Sequence, residues 1–313
     1  MINFTIKRIL NGVVMLVTVS ALAFILLHLG AGNVARQILG VQASNADVLA
    51  KNAELGLNKP ILEQFWLWAQ NLLQGNLGAA WASPMPVAQD LATRLPITLT
   101  LVTWTTLFAA VISVLLGVTA AVRGGWVDRI VQFIGLIGFA IPGFLVAFFL
   151  VTTFAVKLHL FNAVGWIPFS QDPNGFFKSA TLPIFALALS SIAALAQQIR
   201  GAVADALSAD YVRTLRARGL SFNRVVYKHV LRNAGGPALS LLGVQFVGMM
   251  GGAVIVEQIF NIPGLGPYAV HATGSSDIPA TMGIVVLTAV IVIIVNLVID
   301  LLSAALNPKV RLS

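Results

Sequence analysis

Six apolar stretches, each about twenty residues long or more, limit what this chain can fold into before any single residue is considered. They occupy residues 9–29, 97–122, 130–156, 181–199, 237–256 and 280–306. A helix of about 20 apolar residues crosses the hydrocarbon core of a bilayer. Backbone N–H and C=O groups find no water there and must pair within the structure, which leaves helices or closed barrels. Runs of this length exclude the barrel. Composition agrees, with 58% of the 313 residues hydrophobic and 10% charged, against about 25% charged in a soluble domain. The pattern predicts an all-α integral membrane protein with six transmembrane helices.

Lys7 and Arg8 precede the first run. That run exceeds the roughly 7–15 residues of a signal-peptide core, so residues 1–32 are expected to be the N-terminus and an uncleaved first span. Residues 33–95 are polar and do not span. Within them, Gly56-Leu57-Asn58-Lys59-Pro60 reads as a helix start, with Asn58 as cap and Pro60 in the first turn. Ile61, Phe65, Trp68 and Leu72 then recur at helical spacing, and Gly75 ends the run. The rings of Trp66 and Trp68 suit a helix lying at the membrane interface. Residues 96–306 form the membrane core, opened by Arg94-Leu95-Pro96, and 307–313 a tail. Pro142 is expected to kink the third span, either beside a pathway or for packing. Residues 157–180 read as a loop. Gly243, Gly248, Gly251 and Gly252 in the fifth span predict close helix approach.

One long polar interruption divides the second half, at about residues 201–234. Leu207, Tyr211 and Leu215 make one apolar stripe of a short helix. Gly219 stops it, because glycine accepts the left-handed conformation that follows many last turns. Ser221 is placed to cap a second short helix, with Arg224, Lys228 and Arg232 on one face and Val225, Val226 and Val230 off it. The expected product is a basic helix–glycine–helix knob between spans four and five. Topology follows from charge. With the N-terminus inside, the cytoplasmic set is Lys7, Arg8, Arg123, Arg129, Arg200, Arg213, Arg216, Arg218, Arg224, Lys228, Arg232, Lys309 and Arg311. The outer set is Arg36, Lys51, Lys59, Arg94, Lys157 and Lys178. This excess predicts both termini and the knob in the cytoplasm, and residues 33–95 outside.

A second distinctive string runs from Glu257 through Gln258-Ile259-Phe260-Asn261-Ile262-Pro263-Gly264-Leu265 to Gly266. It places an acid at the outer end of a span, then a Pro-Gly reversal and a short return toward the membrane. Two roles fit Glu257: gating or packing of an outer mouth, or capping of the turn by accepting backbone N–H bonds. Several chemistries are excluded. There are no cysteines, hence no disulfide and no thiolate site. His28, His159, His229 and His271 lack paired ligand spacing, so no metal is expected. No phosphate-binding Gly-x-x-x-x-Gly-Lys-Ser/Thr loop occurs. No catalytic residue is assigned. The net charge of +8 faces anionic headgroups or an acidic partner rather than nucleic acid. Asp300, inside the last span, is expected to pair with a base or with water.

The ordered motifs resemble those of a family. Asp210-Tyr211-Val212-Arg213-Thr214, Arg216-Ala217-Arg218-Gly219-Leu220, Arg232-Asn233-Ala234 with Pro237, and the Glu257–Gly266 string look like bacterial ATP-binding-cassette importer permeases. Gly56 to Pro60, Arg94-Leu95-Pro96 and Asn307-Pro308-Lys309 extend the likeness over nearly the whole chain. The resemblance is to the dipeptide/oligopeptide/nickel branch, and to the first permease of its usual pair. It departs at Arg213-Thr214-Leu215, which replaces a Glu-Ala-Ala triplet, at Gly235-Gly236, and at Gly30-Ala31-Gly32-Asn33, where Pro-Gly-Asp-Pro is absent. The resemblance implies that the knob is a coupling helix seated on a separate ATPase. Its coupling loop would comprise Asp210, Tyr211, Arg213, Thr214, Leu215, Arg216, Arg218, Gly219 and Leu220. Glu257, Phe260, Pro263, Gly264 and Gly266 would form an external gate or turn. It further implies a second homologous permease, two ATPase subunits that hold ATP and Mg, an external binding protein that delivers peptides, and the bacterial inner membrane as location. The contrasting reading is a self-sufficient carrier or channel, in which the knob is only a basic loop facing lipid.

Overall fold

A computed structural model describes residues 2–30, 34–40, 42–83 and 85–306. The motif Asn307-Pro308-Lys309, the tail, and Ala31 to Asn33 lie outside the described residues. Among those described, all regular structure is helical, apart from one isolated antiparallel bridge between Ala79 and Pro86. The first four helices are α1 Ile2–Gly30, α2 Val34–Leu39, α3 Asn45–Glu54 and α4 Ile61–Leu73. Ser44 caps α3 by accepting a bond from Asp47 N. Pro60, rather than the expected Asn58, occupies the N-cap of α4. A proline there gives up no helical hydrogen bond, since the first N–H groups of a helix lack partners anyway.

The next helices run further than the apolar stretches alone predict. Helix α5 covers Val87–Arg123 with Pro96 inside it, so Arg94-Leu95-Pro96 lies within a helix instead of opening one. The third span is broken. Helix α6 is Gly125–Ala140, and α7 is Gly143–Leu150, continued by a π-helical turn at Val151–Lys157. Between them Ile141 (φ −90°, ψ 119°) and Pro142 (φ −59°, ψ 133°) are extended, and the two halves meet at 94°. The proline ring disfavours the helical conformation for the residue before it, and here Ile141 takes the extended one, so the expected kink becomes a full corner. Helix α8, Pro173–Ser208, begins inside the expected loop because Asp172 caps it, accepting from Asn174 N at 3.0 Å. Helices α9 Asp210–Ala217, α10 Phe222–Val225, α11 Leu231–Ile259, α12 Leu265–Gly274 and α13 Ile278–Leu306 complete the chain. Five described helical runs are long and apolar enough to cross a membrane, or six if α6 and α7 form one broken span.

The chain forms two compact units. The first comprises Thr98–Ile262 and the residues from Val295 onward. Helix α8 is its centre, packed by α6, α7 and α11. Small residues allow this approach. A Cβ on Gly117 would stand 2.7 Å from the backbone oxygen of Ala196 and 2.9 Å from Ile199 Cβ. Of the four glycines expected in α11, Gly243 plays the expected part, since a Cβ there would stand 2.7 Å from Ile299 Cδ1, whereas a Cβ on Gly248, Gly251 or Gly252 would meet nothing within 4 Å. Polar side chains tie the helices further: Ser191 Oγ donates to Gln245 Oε1 at 2.9 Å, and Arg200 pairs with Asp128 through two bonds, Nη2 to Oδ2 at 2.6 Å.

The second unit comprises Ile2–Ile97 and Pro263–Ile294. One core gathers Val87 and Leu91 with Leu265, Tyr268 and Ala272 of α12 and Ala280 and Ile284 of α13. Another joins Phe24, Val34, Ile278 and Met282, with Ile61, Phe65 and Trp68 packed on it. The expected apolar face of α4 is therefore real. Phe24 meets the Phe65 ring edge-on at 5.4 Å. The two tryptophans divide, because residues two apart point to different faces of a helix. Trp68 packs near Phe24 and Phe65, while Trp66 is exposed.

Candidate functional site

The knob is built from the inside outward. Val225 and Val230 are fully buried, with Val212, Val226, Ile199 and Val203 beside them, and Leu207, Tyr211, Leu215, Leu220 and Phe222 pack against this cluster. The predicted stripe is thus present, but it crosses a break. Leu207 belongs to α8, and Ala209 (φ −71°, ψ 147°) separates it from α9. With the apolar side chains turned in, Asp210, Arg213, Thr214, Arg216, Arg218 and Gly219 are all exposed. Arg213 lies 3.7 Å from Asp210, a surface pair of little energetic weight. The Arg216 guanidinium sits 5.4 Å from the Phe222 ring centroid.

Gly219 ends α9 in the left-handed region, at φ +84°. Gly219 N donates to Arg216 O at 2.9 Å and Leu220 N donates to Leu215 O at 3.3 Å. These two reversed bonds, with Leu215 and Leu220 in one apolar cluster, are the pattern that closes a helix on its own carbonyls. Ser221 stands at the next N-cap, but only its backbone is used: Ser221 O accepts from Val225 N at 3.1 Å and the hydroxyl makes no capping bond. The expected second short helix does not stop either. Helix α10 passes through a π-helical turn at Val226–Val230 into α11. The knob's second arm is therefore the first part of one continuous run, Phe222–Ile259.

Glu257 lies in the last turn of that run and is fully buried. Thr98 Oγ1, itself buried, donates to Glu257 Oε1 at 2.6 Å. The helix ends by the same device as α9, with Asn261 (φ +47°) in the left-handed position. Asn261 N donates to Gln258 O, and Ile262 N to Glu257 O at 2.8 Å. Phe260 is buried, and its carbonyl accepts from Gly165 N at 2.9 Å. The reversal therefore turns on Asn261 and not on Pro-Gly: Gly264, at φ −88°, is the N-cap of α12. Glu257 and Phe260 belong to the first unit, whereas Pro263, Gly264 and Gly266 belong to the second.

Three residues that the sequence did not single out prove central. Thr98 was one apolar-span threonine among several. Asp128 reads as part of a turn, and only the folded chain brings it to Arg200. Asp277 is buried and accepts from Trp81 N at 2.7 Å, Ala82 N at 2.8 Å and Ala280 N at 3.0 Å. Its one legible signal was its place before Ile278-Pro279, where an aspartate caps a helix. Near it, Arg94 lies 4.8 Å over the Tyr268 ring. Burial, reinforced by the charges of Asp90 and Asp277, pushes the Tyr268 hydroxyl up to about 12.

A multi-pass helical membrane protein bearing a basic elbow is what this fold and site define. The chain belongs to the family of binding-protein-dependent transport system inner membrane components, whose model matches residues 113–312. The companion model for the N-terminal part of the membrane component matches residues 1–102. Over 312 residues the chain is 36% identical to the glutathione transport system permease protein GsiC of Escherichia coli (strain K12), covering 99% of both. It is 34% identical over 309 residues to the probable peptide ABC transporter permease protein y4tP of Sinorhizobium fredii (strain NBRC 101917 / NGR234), covering 98% of this chain and 99% of that one. Among solved structures, the inward-facing MetNI methionine ABC transporter matches with a TM-score of 0.58 at 18% identity, over 72% of this chain and 100% of the other. That likeness shows a shared fold. The family is a transport component of the membrane and not an enzyme.

Proposed function

We propose that this chain is the permease subunit of an ATP-driven importer, forming half of the path for di- or oligopeptides delivered by an external binding protein. The observation that carries this reading is end-to-end similarity to permeases named for glutathione, itself a tripeptide, and for peptides. In this reading the six spans count α6 and α7 as one, both termini are cytoplasmic, residues 33–95 are external and residues 201–234 form the coupling region. The assembly contains a second homologous permease and two ATPase subunits. This chain binds no cofactor, and ATP with Mg sits on the ATPases, where its hydrolysis supplies the driving force.

The elbow receives that force. Asp210, Arg213, Thr214, Arg216, Arg218 and Gly219 meet the ATPase, while Tyr211, Leu215 and Leu220 hold the elbow to its apolar base. The run from Phe222 to Ile259 has 38 residues, on the order of 55 Å at 1.5 Å per residue. A push at one end is therefore delivered along one helix toward Glu257 and Phe260 at the other. The carboxylate held by Thr98 fixes that end, and Pro263, Gly264 and Gly266 lead the chain away from it. Purification from the native membrane tests the reading. A stable complex with a second permease and two ATPases, active in peptide uptake with the binding protein, is expected. An isolated homo-oligomer that moves solute without ATPases would overturn it.

A further inference from the structure

The second unit holds a cavity of about 750 Å³ that the transport reading does not use. It opens among the outer end of α1, the α3–α4 turn, the face of α4, the loop at residues 76–81 and the start of α13. Pockets of about 300–1,000 Å³ with apolar walls and a few placed polar groups are the usual form of a small-molecule site. Phe24, Trp68 and Trp81 supply aromatic wall here, and Lys51, Glu54 and Lys59 supply charge at the edge.

The walls are fixed in advance. His28 stacks on Phe24 with ring centroids 4.1 Å apart. Its Nε2 lies 2.8 Å from Gln64 Oε1, while Gln64 Nε2 donates to Lys59 O at 2.8 Å. On the opposite side, buried Asp277 holds the backbone of Trp81 and Ala82 through one oxygen and the first turn of α13 through the other. Such preorganisation lowers the cost of ordering a site around a ligand. The edge, by contrast, is exchangeable. Lys51 pairs with Glu54 at 2.7 Å and Lys59 with Glu63 at 2.9 Å, all with exposed side-chain area. Exposed pairs of this kind contribute little, so each partner can turn to a ligand charge of opposite sign. Aromatic walls with both signs of charge at the rim fit a zwitterion bearing an apolar side chain.

We propose that this cavity binds a short peptide, apolar or aromatic side chain against Trp68 and Trp81, with its termini taken by Lys51 and Glu54. The inference rests on the peptide-importer reading for its ligand class. Because the chain has no cysteine, one introduced thiol is the single cysteine of this subunit, and its modification is read on the separated subunit. Leu67 lines the cavity and is 40% exposed, whereas Leu73, on the same helix, is 88% exposed and does not line it. In the purified complex without binding protein, tripeptides carrying Phe or Leu should slow maleimide modification of Leu67→Cys. At roughly ten times the half-saturating concentration the slowing should be about tenfold, with Leu73→Cys unaffected. Lys51→Gln combined with Glu54→Gln, the first half-buried and the second exposed, should raise half-saturation for a zwitterionic peptide and not for one with both termini blocked. No protection by peptide, in a complex that still takes up peptide when the binding protein is added, overturns the cavity assignment and leaves the transport reading intact. Protection in a complex that transports no peptide keeps the cavity and removes the transport reading. Protection by peptide-free binding protein, with none by peptide, assigns the cavity to that protein and overturns the proposal.

Discussion

Replacing Gly219 isolates the backbone geometry of the elbow from everything else near it. At φ +84° the residue is left-handed, and a Cβ built there meets nothing within 4 Å. No steric clash with neighbours enters, so the cost is the local penalty alone, about 1–2 kcal/mol for an L-residue. The alternative is a right-handed residue 219, which breaks the bonds from Gly219 N to Arg216 O and from Leu220 N to Leu215 O. A penalty of that size shifts the correctly closed elbow roughly 5–30-fold. Asparagine enters this region most readily among the other residues, and β-branched residues least. Uptake in reconstituted complexes should therefore fall in the order glycine, Gly219→Asn, Gly219→Ala, Gly219→Val. Gly219→Val should lose uptake about tenfold, within the range of that shift, while ATP hydrolysis persists, because the proposed assembly places the ATP site on another subunit. Unchanged uptake and unchanged hydrolysis in Gly219→Val would refute the reasoning. So would a Gly219→Ala variant weaker than Gly219→Val.

Other positions give independent tests. Gly117→Ala forces a Cβ to 2.7 Å from a backbone oxygen and should destabilise the first unit by about 1–3 kcal/mol, read as a lower melting temperature of the complex. Asn261→Gly should be close to neutral and Asn261→Val should cost about 1–2 kcal/mol, because Asn261 is left-handed for the same reason as Gly219. Asp128→Asn and Arg200→Gln should each destabilise by about 1.5–3 kcal/mol, as for hydrogen bonds to charged groups, and the double variant by less than their sum. Tyr268 loses its proton only near pH 12, above the free phenol at about 10. Its contribution to stability is therefore complete below about pH 10 and lost as pH rises toward 12. Alkaline difference spectra of wild type and Tyr268→Phe should differ in this late ionisation.

The spans were legible because apolar length speaks directly to bilayer thickness, and Gly219 because the residue type states its conformation. Helix ends were less so. Asp172 and Pro173 start α8 well before its apolar stretch, since a cap acts through one side chain and leaves the hydropathy pattern untouched. The corner at Ile141-Pro142 was visible as a proline but not as a 94° turn, because a kink and a break share the same local signal. Glu257 stood out by charge. Its partner Thr98 is far away in sequence, and a threonine in a membrane helix ordinarily bonds to its own backbone, as Thr105 does to Leu101 O. The pairing of Asp128 with Arg200 was hidden in the same way.

Ala217 is exposed at the tip of the elbow, in a chain without cysteine. A bifunctional cross-linker on Ala217→Cys should capture an ATPase subunit in the assembled complex, with a yield that changes between the nucleotide-free and ATP-bound states. Failure to capture an ATPase under every nucleotide condition, in a complex that still transports, would contradict the account.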